Sequence, residues 1–213
     1  MESSVLGTVL AGGRSRRMGR DKGELDLLGR PLAAHAAEVL GRIFPEVVLV
    51  AEPRPAYQAL GLEVVPDIHS GCGPLGGLHA ALHRAGGRSV FALACDLPLV
   101  PAELVRYLLD YPWTGSEGLD RGSHGQARAK VALAAGRLHP LCGLYSPGCL
   151  EVAERHLRQG ILSLHELLDA VETTAVPMTA ELPFFHRQLL LNVNRPEDLE
   201  AARSLASVHG GGP

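Results

Sequence analysis

Val5-Leu6-Gly7-Thr8-Val9-Leu10 is a short run of β-branched and apolar residues that breaks off at Ala11-Gly12-Gly13; Arg14-Ser15-Arg16-Arg17-Met18-Gly19 and Asp21-Lys22 follow closely. An apolar run of this length ending in glycines reads as a buried strand leaving a sheet for a loop. Glycines at that point let backbone N–H groups approach phosphate oxygens, because no Cβ stands in the way. Arg14, Arg16 and Arg17, with Lys22, then supply charge-assisted donors of the kind a triphosphate needs. The plainer alternative is a glycine turn beside a solvated basic loop. The spacing fits neither G-x-G-x-x-G nor G-x-x-x-x-G-K-[ST], so neither a dinucleotide fingerprint nor a Walker loop is present.

Downstream, strand-like and helical patterns alternate. Pro31 opens a helical stretch, LAAHAAEVLGR, and VVLV at Val47 to Val50 is a second strand. A short helical piece at Ala56 to Leu60 and a strand at Leu62 to Val65 follow. Ser70 to Gly77 reads as a Gly-rich loop opening onto a helix at Leu78 to Arg84, and Ser89 to Ala94 is another buried strand. This alternation predicts βαβ units and a mostly parallel sheet. In the second half, Trp113 to Arg128 is polar and Gly-rich, an expected exposed loop. Lys130 to Ala134 and Leu138 to Tyr145 read as strands paired about a turn at Ala135-Gly136. Helices are expected at Pro147 to Arg158, at Ser163 to Asp169 and from Pro196, with strands at Thr173 to Val176 and Gln188 to Asn192. Residues 1–206 form one domain in this reading, and Ser207 to Pro213 is a disordered tail.

With 213 residues and a formal net charge of -3, the chain has no general basis for holding nucleic acid or an anionic membrane. Aromatic residues make up 4%, too few for a base-stacking platform. MESSVLGTVLAGG is not patterned as a signal peptide, and no apolar run approaches the roughly 18 residues that span a bilayer. Cys72, Cys95, Cys142 and Cys149 form no C-x-x-C pair, and the histidines form no H-E-x-x-H, so structural zinc is not expected.

Lys22 and Lys130 are the only lysines in a chain that otherwise uses arginine, which suggests a need for a compact ammonium beside the Gly12 loop. Asp96 ends the buried strand VFALAC, at the edge where open α/β sheets bind ligands. A carboxylate there suits Mg²⁺ against an α-phosphate; the alternative is a helix N-cap before Pro101. Asp67, after LEVV, carries the same ambiguity. Gly71-Cys72-Gly73-Pro74-Leu75-Gly76-Gly77 opens a helix and suits an anion or a base edge. His139-Pro140 is a candidate for an acceptor pocket or a packed surface pair. Asn192 and Asn194 fall on one side of a strand by its period of two, as ligand contacts or as caps of the helix at Pro196.

Together, these motifs resemble the molybdenum cofactor guanylyltransferases (the MobA family). The resemblance runs from LAGGRSRRMGRDK through Val64-Val65-Pro66-Asp67, GPLGGL at Gly73 to Leu78, Ala94-Cys95-Asp96-Leu97-Pro98 and His139-Pro140-Leu141 to LNVNRPEDL at Leu191 to Leu199. It implies a single Rossmann-like, three-layer α/β domain with a mostly parallel central sheet, of the nucleotide-diphospho-sugar transferase kind. The implied enzyme is cytoplasmic and Mg²⁺-dependent. It joins GMP from GTP to molybdopterin or molybdenum-molybdopterin and releases pyrophosphate. By the resemblance, Arg17, Lys22 and Asp96 are catalytic and Asp96 binds the metal. Leu10, Ala11, Gly12, Gly13, Lys22, Asp67 and Asp96 hold the nucleotide. Gly73, Pro74, Leu75, Gly76, Asn192 and Asn194 face the acceptor. Other cofactor-biosynthesis proteins and the receiving molybdoenzyme are the implied partners. LAGG favours guanine, since the related cytidylyltransferases read LAAG; after VVLV, however, the guanylyl family often carries asparagine, and this chain has Val50-Ala51-Glu52. Cytidylyl transfer to the same cofactor, and guanylyl transfer to another small phosphorylated acceptor, are the alternatives.

Overall fold

The computed structural model describes residues 5–11, 21–114 and 127–209. β1 (Val5–Leu10) lies between β4 (Val47–Val50) and β6 (Ser89–Ala94), and β5 (Glu63–Val65) flanks β4. These four strands are parallel. Beyond β6 come β8 (Arg137–Tyr145), β7 (Arg128–Ala134) and β9 (Glu172–Pro177). β8 runs antiparallel to both β6 and β7, while β9 is parallel to β7. A two-stranded hairpin, β2 (Asp26–Leu27) and β3 (Arg30–Pro31), stands apart.

The sheet is covered on both faces, and each strand's residues divide by alternation. Val9, Leu49, Phe91 and Leu93 face α1 (Leu32–Gly41), α2 (Pro55–Gln58) and α4 (Ala102–Asp110). Leu6, Leu10, Val48, Val50 and Val90 face α3 (Gly73–Ala85), α5 (Cys149–Arg158) and α6 (Leu164–Ala170). Two buried layers of this kind are what runs such as VLGTVL and SVFALA require, since neither side of such a strand is polar. The fold is therefore the three-layer, mostly parallel α/β domain expected. A smaller cluster of Leu27, Leu32, Val193, Leu199 and Ala202 docks the last helix, α7 (Pro196–His209), beside the hairpin.

The β7–β8 turn falls at Ala135-Gly136, with φ of 48° and 72°, the pair of positive values that a two-residue hairpin demands. Three expectations are corrected. The helix after the Gly-rich segment begins at Gly73, not Leu78: Pro74 sits in its first turn, and Gly76 and Gly77 are buried within it. These glycines serve close packing, because a Cβ on Gly77 would stand 3.2 Å from Leu10 Cδ2. Gln188 to Asn192 is not a strand; Leu189 N–H donates to His186 and Leu191 N–H to Gln188 in turns that bury Leu189 and Leu190 together. Alternation in a strand would have put those two on opposite faces. The backbone of the expected tail is helical through His209, as α7 runs on from its docked turns; residues 210–213 lie outside the described residues, as does most of the Trp113 to Arg128 loop.

Candidate active site at the carboxyl edge of the sheet

Strand register lines up the site. Leu10 is paired with Ala94 on one side and Val50 on the other, and Val50 is paired with Val65. Asp96, Glu52 and Asp67 each lie two residues beyond a member of that row. At the usual spacing between strands, Asp96 and Asp67 stand roughly 14 Å apart, room for a nucleotide to lie across the strand ends. Gly12, the matching position after β1, lies outside the described residues, as do Gly13 and Arg17.

Lys22 begins a single turn of 3-10 helix, Lys22–Glu24, and its Nζ reaches Asp96 Oδ2 at 3.0 Å and Asn194 Oδ1 at 2.5 Å. Three segments far apart in the chain meet at this ammonium. Asp96 does not cap α4, whose N-cap is Pro101; the Asp96 carbonyl accepts from Val193 N–H at 2.8 Å, and Asp96 Oδ1 is buried with no donor among the described residues. Asn194 is not a cap either. Asp198 Oδ2 accepts from the backbone N–H groups of Asn194 and Arg195, both at 2.9 Å, and leaves the Asn194 side chain to Lys22.

At the other end, Asp67 Oδ1 is also buried with no donor among the described residues. Burial, and then the neighbouring Glu52 carboxylate, pushes the Asp67 carboxyl above the usual range. A Cβ on Gly76 or Gly77 would stand 3.7 Å from its oxygens, an ordinary contact, so α3 packs directly beside this carboxylate. Leu10 and Ala11 are held by the sheet itself: Leu10 O accepts from Cys95 N–H, and Ala11 N–H donates to Val50 O.

Asn194, the partner of Lys22, also lines a cavity of about 1100 Å³ whose wall includes Pro74, His139, Phe185 and Asn192. Of the residues expected to face an acceptor, Pro74, Asn192 and Asn194 line it. Gly73, Leu75 and Gly76 do not; Leu75 is fully buried under the sheet, because α3 has begun by that point. Burial, and then the nearby Arg137 guanidinium, lowers the His139 pKa, which favours the neutral imidazole. Phe185 and Arg137 were missed in the sequence because neither belongs to a motif. Asp21, Arg54 and Tyr57, which support Lys22, were missed as site residues too, and only the adjacency of Asp21 to Lys22 hinted at them.

Among the described residues, no group of three or more His, Cys, Asp or Glu side chains is placed to hold a metal, and no helix is long and apolar enough to cross a membrane. Asp96 and Asp67 each present at this edge a carboxylate oxygen with no donor among the described residues, and of the two Asp96 is the one beside Lys22. A single carboxylate suits Mg²⁺, which keeps waters and takes the rest of its ligands from substrate phosphates.

The sequence matches the MobA-like NTP transferase domain over residues 7–175. A Pelotomaculum thermopropionicum protein named "Probable molybdenum cofactor guanylyltransferase" is 36% identical over 95% of this chain and 93% of its own length. The "Molybdenum cofactor guanylyltransferase" of Cereibacter sphaeroides is 36% identical over 94% of this chain and 96% of its own. The crystal structure of molybdopterin-guanine dinucleotide biosynthesis protein A from Archaeoglobus fulgidus superposes with a TM-score of 0.74 at 26% identity, covering 95% of this chain and 99% of that one. With that match spanning the strand edge that carries Asp67 at one end and the Lys22–Asp96 pair at the other, the chain belongs to the MobA-like NTP transferase family and is a nucleotidyltransferase.

Proposed function

We propose that this enzyme transfers GMP from GTP to molybdopterin or its molybdenum-loaded form, releasing pyrophosphate, in a Mg²⁺-dependent reaction in the cytoplasm. The observation that carries the proposal is the Lys22 ammonium, held between Asp96 and Asn194 where the strand edge meets the cavity. The nucleotide lies along the row from Asp67, at the nucleoside, to Asp96, at the α-phosphate. The acceptor fills the cavity with its phosphate toward Lys22. An oxygen of that phosphate attacks the α-phosphorus, the bond to the β-phosphate breaks, and the electron pair leaves on pyrophosphate. The attacking group is already anionic, so no general base is needed, in keeping with the neutral state favoured at His139. Lys22 exchanges its carboxylate and amide partners for phosphate oxygens and stabilises the charge of the transition state. Asp96 would hold Mg²⁺ through the oxygen that lacks a donor; bound there, the ion neutralises charge on the phosphates. Arg17, in the sequence between β1 and Lys22, adds positive charge. Asn192 and Pro74 fix the acceptor.

The test is pyrophosphate release with Mg²⁺, molybdenum-loaded molybdopterin and each of GTP, CTP, ATP and UTP in turn. Release with GTP alone, dependent on the pterin, is expected. A preference for CTP would make this a cytidylyltransferase, and release with GTP but not with the pterin would point to another phosphorylated acceptor.

A further inference from the structure

The Lys22 turn is gripped from below. Tyr57, on α2, is fully buried and belongs to the same core cluster as Ala11 and Phe44. Its hydroxyl donates to Asp21 Oδ1 at 2.5 Å, and the same oxygen accepts from Gly23 N–H at 3.0 Å, which caps the Lys22–Glu24 turn. Arg54 lies 3.5 Å from Asp21 Oδ2 and 3.8 Å from Glu24 Oε1, but it is half exposed, and ion pairs of that kind hold little. The turn also presses on the tyrosine: a Cβ on Gly23 would stand 2.3 Å from Tyr57 Oη and 3.1 Å from Ala11 Cβ. Phenylalanine would fill the core equally well. What the hydroxyl adds is a buried, charge-assisted hydrogen bond to Asp21.

We propose that Tyr57 is a positioning residue for the transfer reaction, fixing the Lys22–Glu24 turn through Asp21 so that the Lys22 ammonium meets Asp96 and the cavity-lining Asn194. The proposal rests on the nucleotidyl-transfer reading above. It also ties the two ends of the nucleotide together. Tyr57 lies in the β4–β5 connection that carries Glu52 at the nucleoside end, and its hydroxyl reaches the turn that carries the phosphate-binding lysine.

The chain offers a direct reporter, because Lys22 and Lys130 are its only lysines and Lys130 is 2% exposed. In full-length protein labelled at lysine side chains, the Tyr57→Phe variant should shift the Lys22 NMR signal and leave that of Lys130 in place. Its kcat for pyrophosphate release should fall about tenfold, with the KM for GTP changed by less than about twofold. Asp21→Asn should shift the same signal, which covers the case in which Tyr57→Phe fails to fold. An unmoved Lys22 signal overturns the proposal whatever the rate does. A moved signal with wild-type kcat overturns the catalytic part of it. If the wild-type protein releases no pyrophosphate with any nucleotide, the transfer reading fails and takes the catalytic part with it, while the Lys22 signal still decides whether Tyr57 sets the turn.

Discussion

Asp96→Asn separates the chemical role of this carboxylate from its structural one, because the two act on different scales. Structurally, little is at stake. The Lys22–Asp96 pair has side chains 24% and 18% exposed, so solvent screens it and its contribution is at most about 1 kcal/mol. Asparagine keeps an oxygen for Lys22 at 3.0 Å and removes a charged oxygen, Oδ1, that is buried without a donor. For a chain of this length, about 1 kcal/mol moves Tm by roughly 2–4 °C. Chemically, the loss is larger. Removing one preorganised electrostatic group at a reacting phosphate costs about 10²–10³ in kcat, or roughly 2.7–4 kcal/mol. Pyrophosphate release measured across a Mg²⁺ titration, beside a thermal melt of the same sample, should give that drop in kcat with Tm inside the narrow window. Wild-type turnover at every Mg²⁺ concentration would refute Asp96 as the metal-bearing group. A melting transition that collapses along with the activity would refute the claim that its role is chemical rather than structural.

Further outcomes follow from single contacts. Burial holds the Asp67 carboxyl above its ordinary value of 3.8, so its charge costs stability that sets in as pH rises through the folded pKa. Asp67→Asn should therefore raise Tm at pH 7, with the gain vanishing toward pH 3, and should raise the KM for GTP; a lowered Tm at pH 7 would contradict this. Burial lowers the Lys130 pKa from 10.5 to about 8, so between those values the unfolded chain holds the extra proton. The stability of the wild type relative to Lys130→Met, from urea midpoints, should be constant below pH 8 and rise by about 1.4 kcal/mol per pH unit above it; parallel curves throughout would refute the shift. Tyr145 Oη donates to the Pro140 carbonyl at 2.6 Å from a fully buried position. Tyr145→Phe should cost about 1–3 kcal/mol and raise the KM for the acceptor but not for GTP.

Much of the framework was legible because it is local. VLGTVL, VVLV and SVFALA are apolar on both faces, so a central sheet covered on both sides follows from period alone. Lys22 and Asp96 were legible because each stands out against its neighbourhood, one a rare lysine, the other a carboxylate ending an apolar strand. The α3 start was misread because Gly76 and Gly77 look like loop glycines unless Cys72 and the His69 carbonyl are already known to press on the first and Leu10 on the second. Asn192 and Asn194 were assigned to a strand because three leucines in a row resemble one, and only the turns that bury Leu189 with Leu190 say otherwise. Tyr57 carried no local signal, since its importance comes from a partner 36 positions away.

Among the described strands of the seven-stranded sheet β8 alone is reversed, and that explains why the cavity lies where it does. Had β8 run parallel to β6, its first residues would sit at the opposite edge of the sheet from Asp96. Because it is antiparallel, with Leu93 opposite Cys142, continuing the register carries His139-Pro140-Leu141 alongside Ala94, Cys95 and Asp96. On the β7 side, Val131 is paired with Gly143 but Ala132 with His139, so the residues between His139 and Gly143 bulge out of the ladder. Proline is tolerated at such a place, where its missing N–H breaks no ladder bond. Gly143 seals the base of the bulge, since a Cβ there would stand 2.5 Å from the Lys130 carbonyl. The bulge makes His139, Pro140 and Leu141 part of the cavity lining, next to Asn192. On the proposed reading, the parallel strands set the row along which the nucleotide would lie, and the antiparallel strand supplies a wall at the Asp96 end of that row, where a second substrate would meet the α-phosphorus.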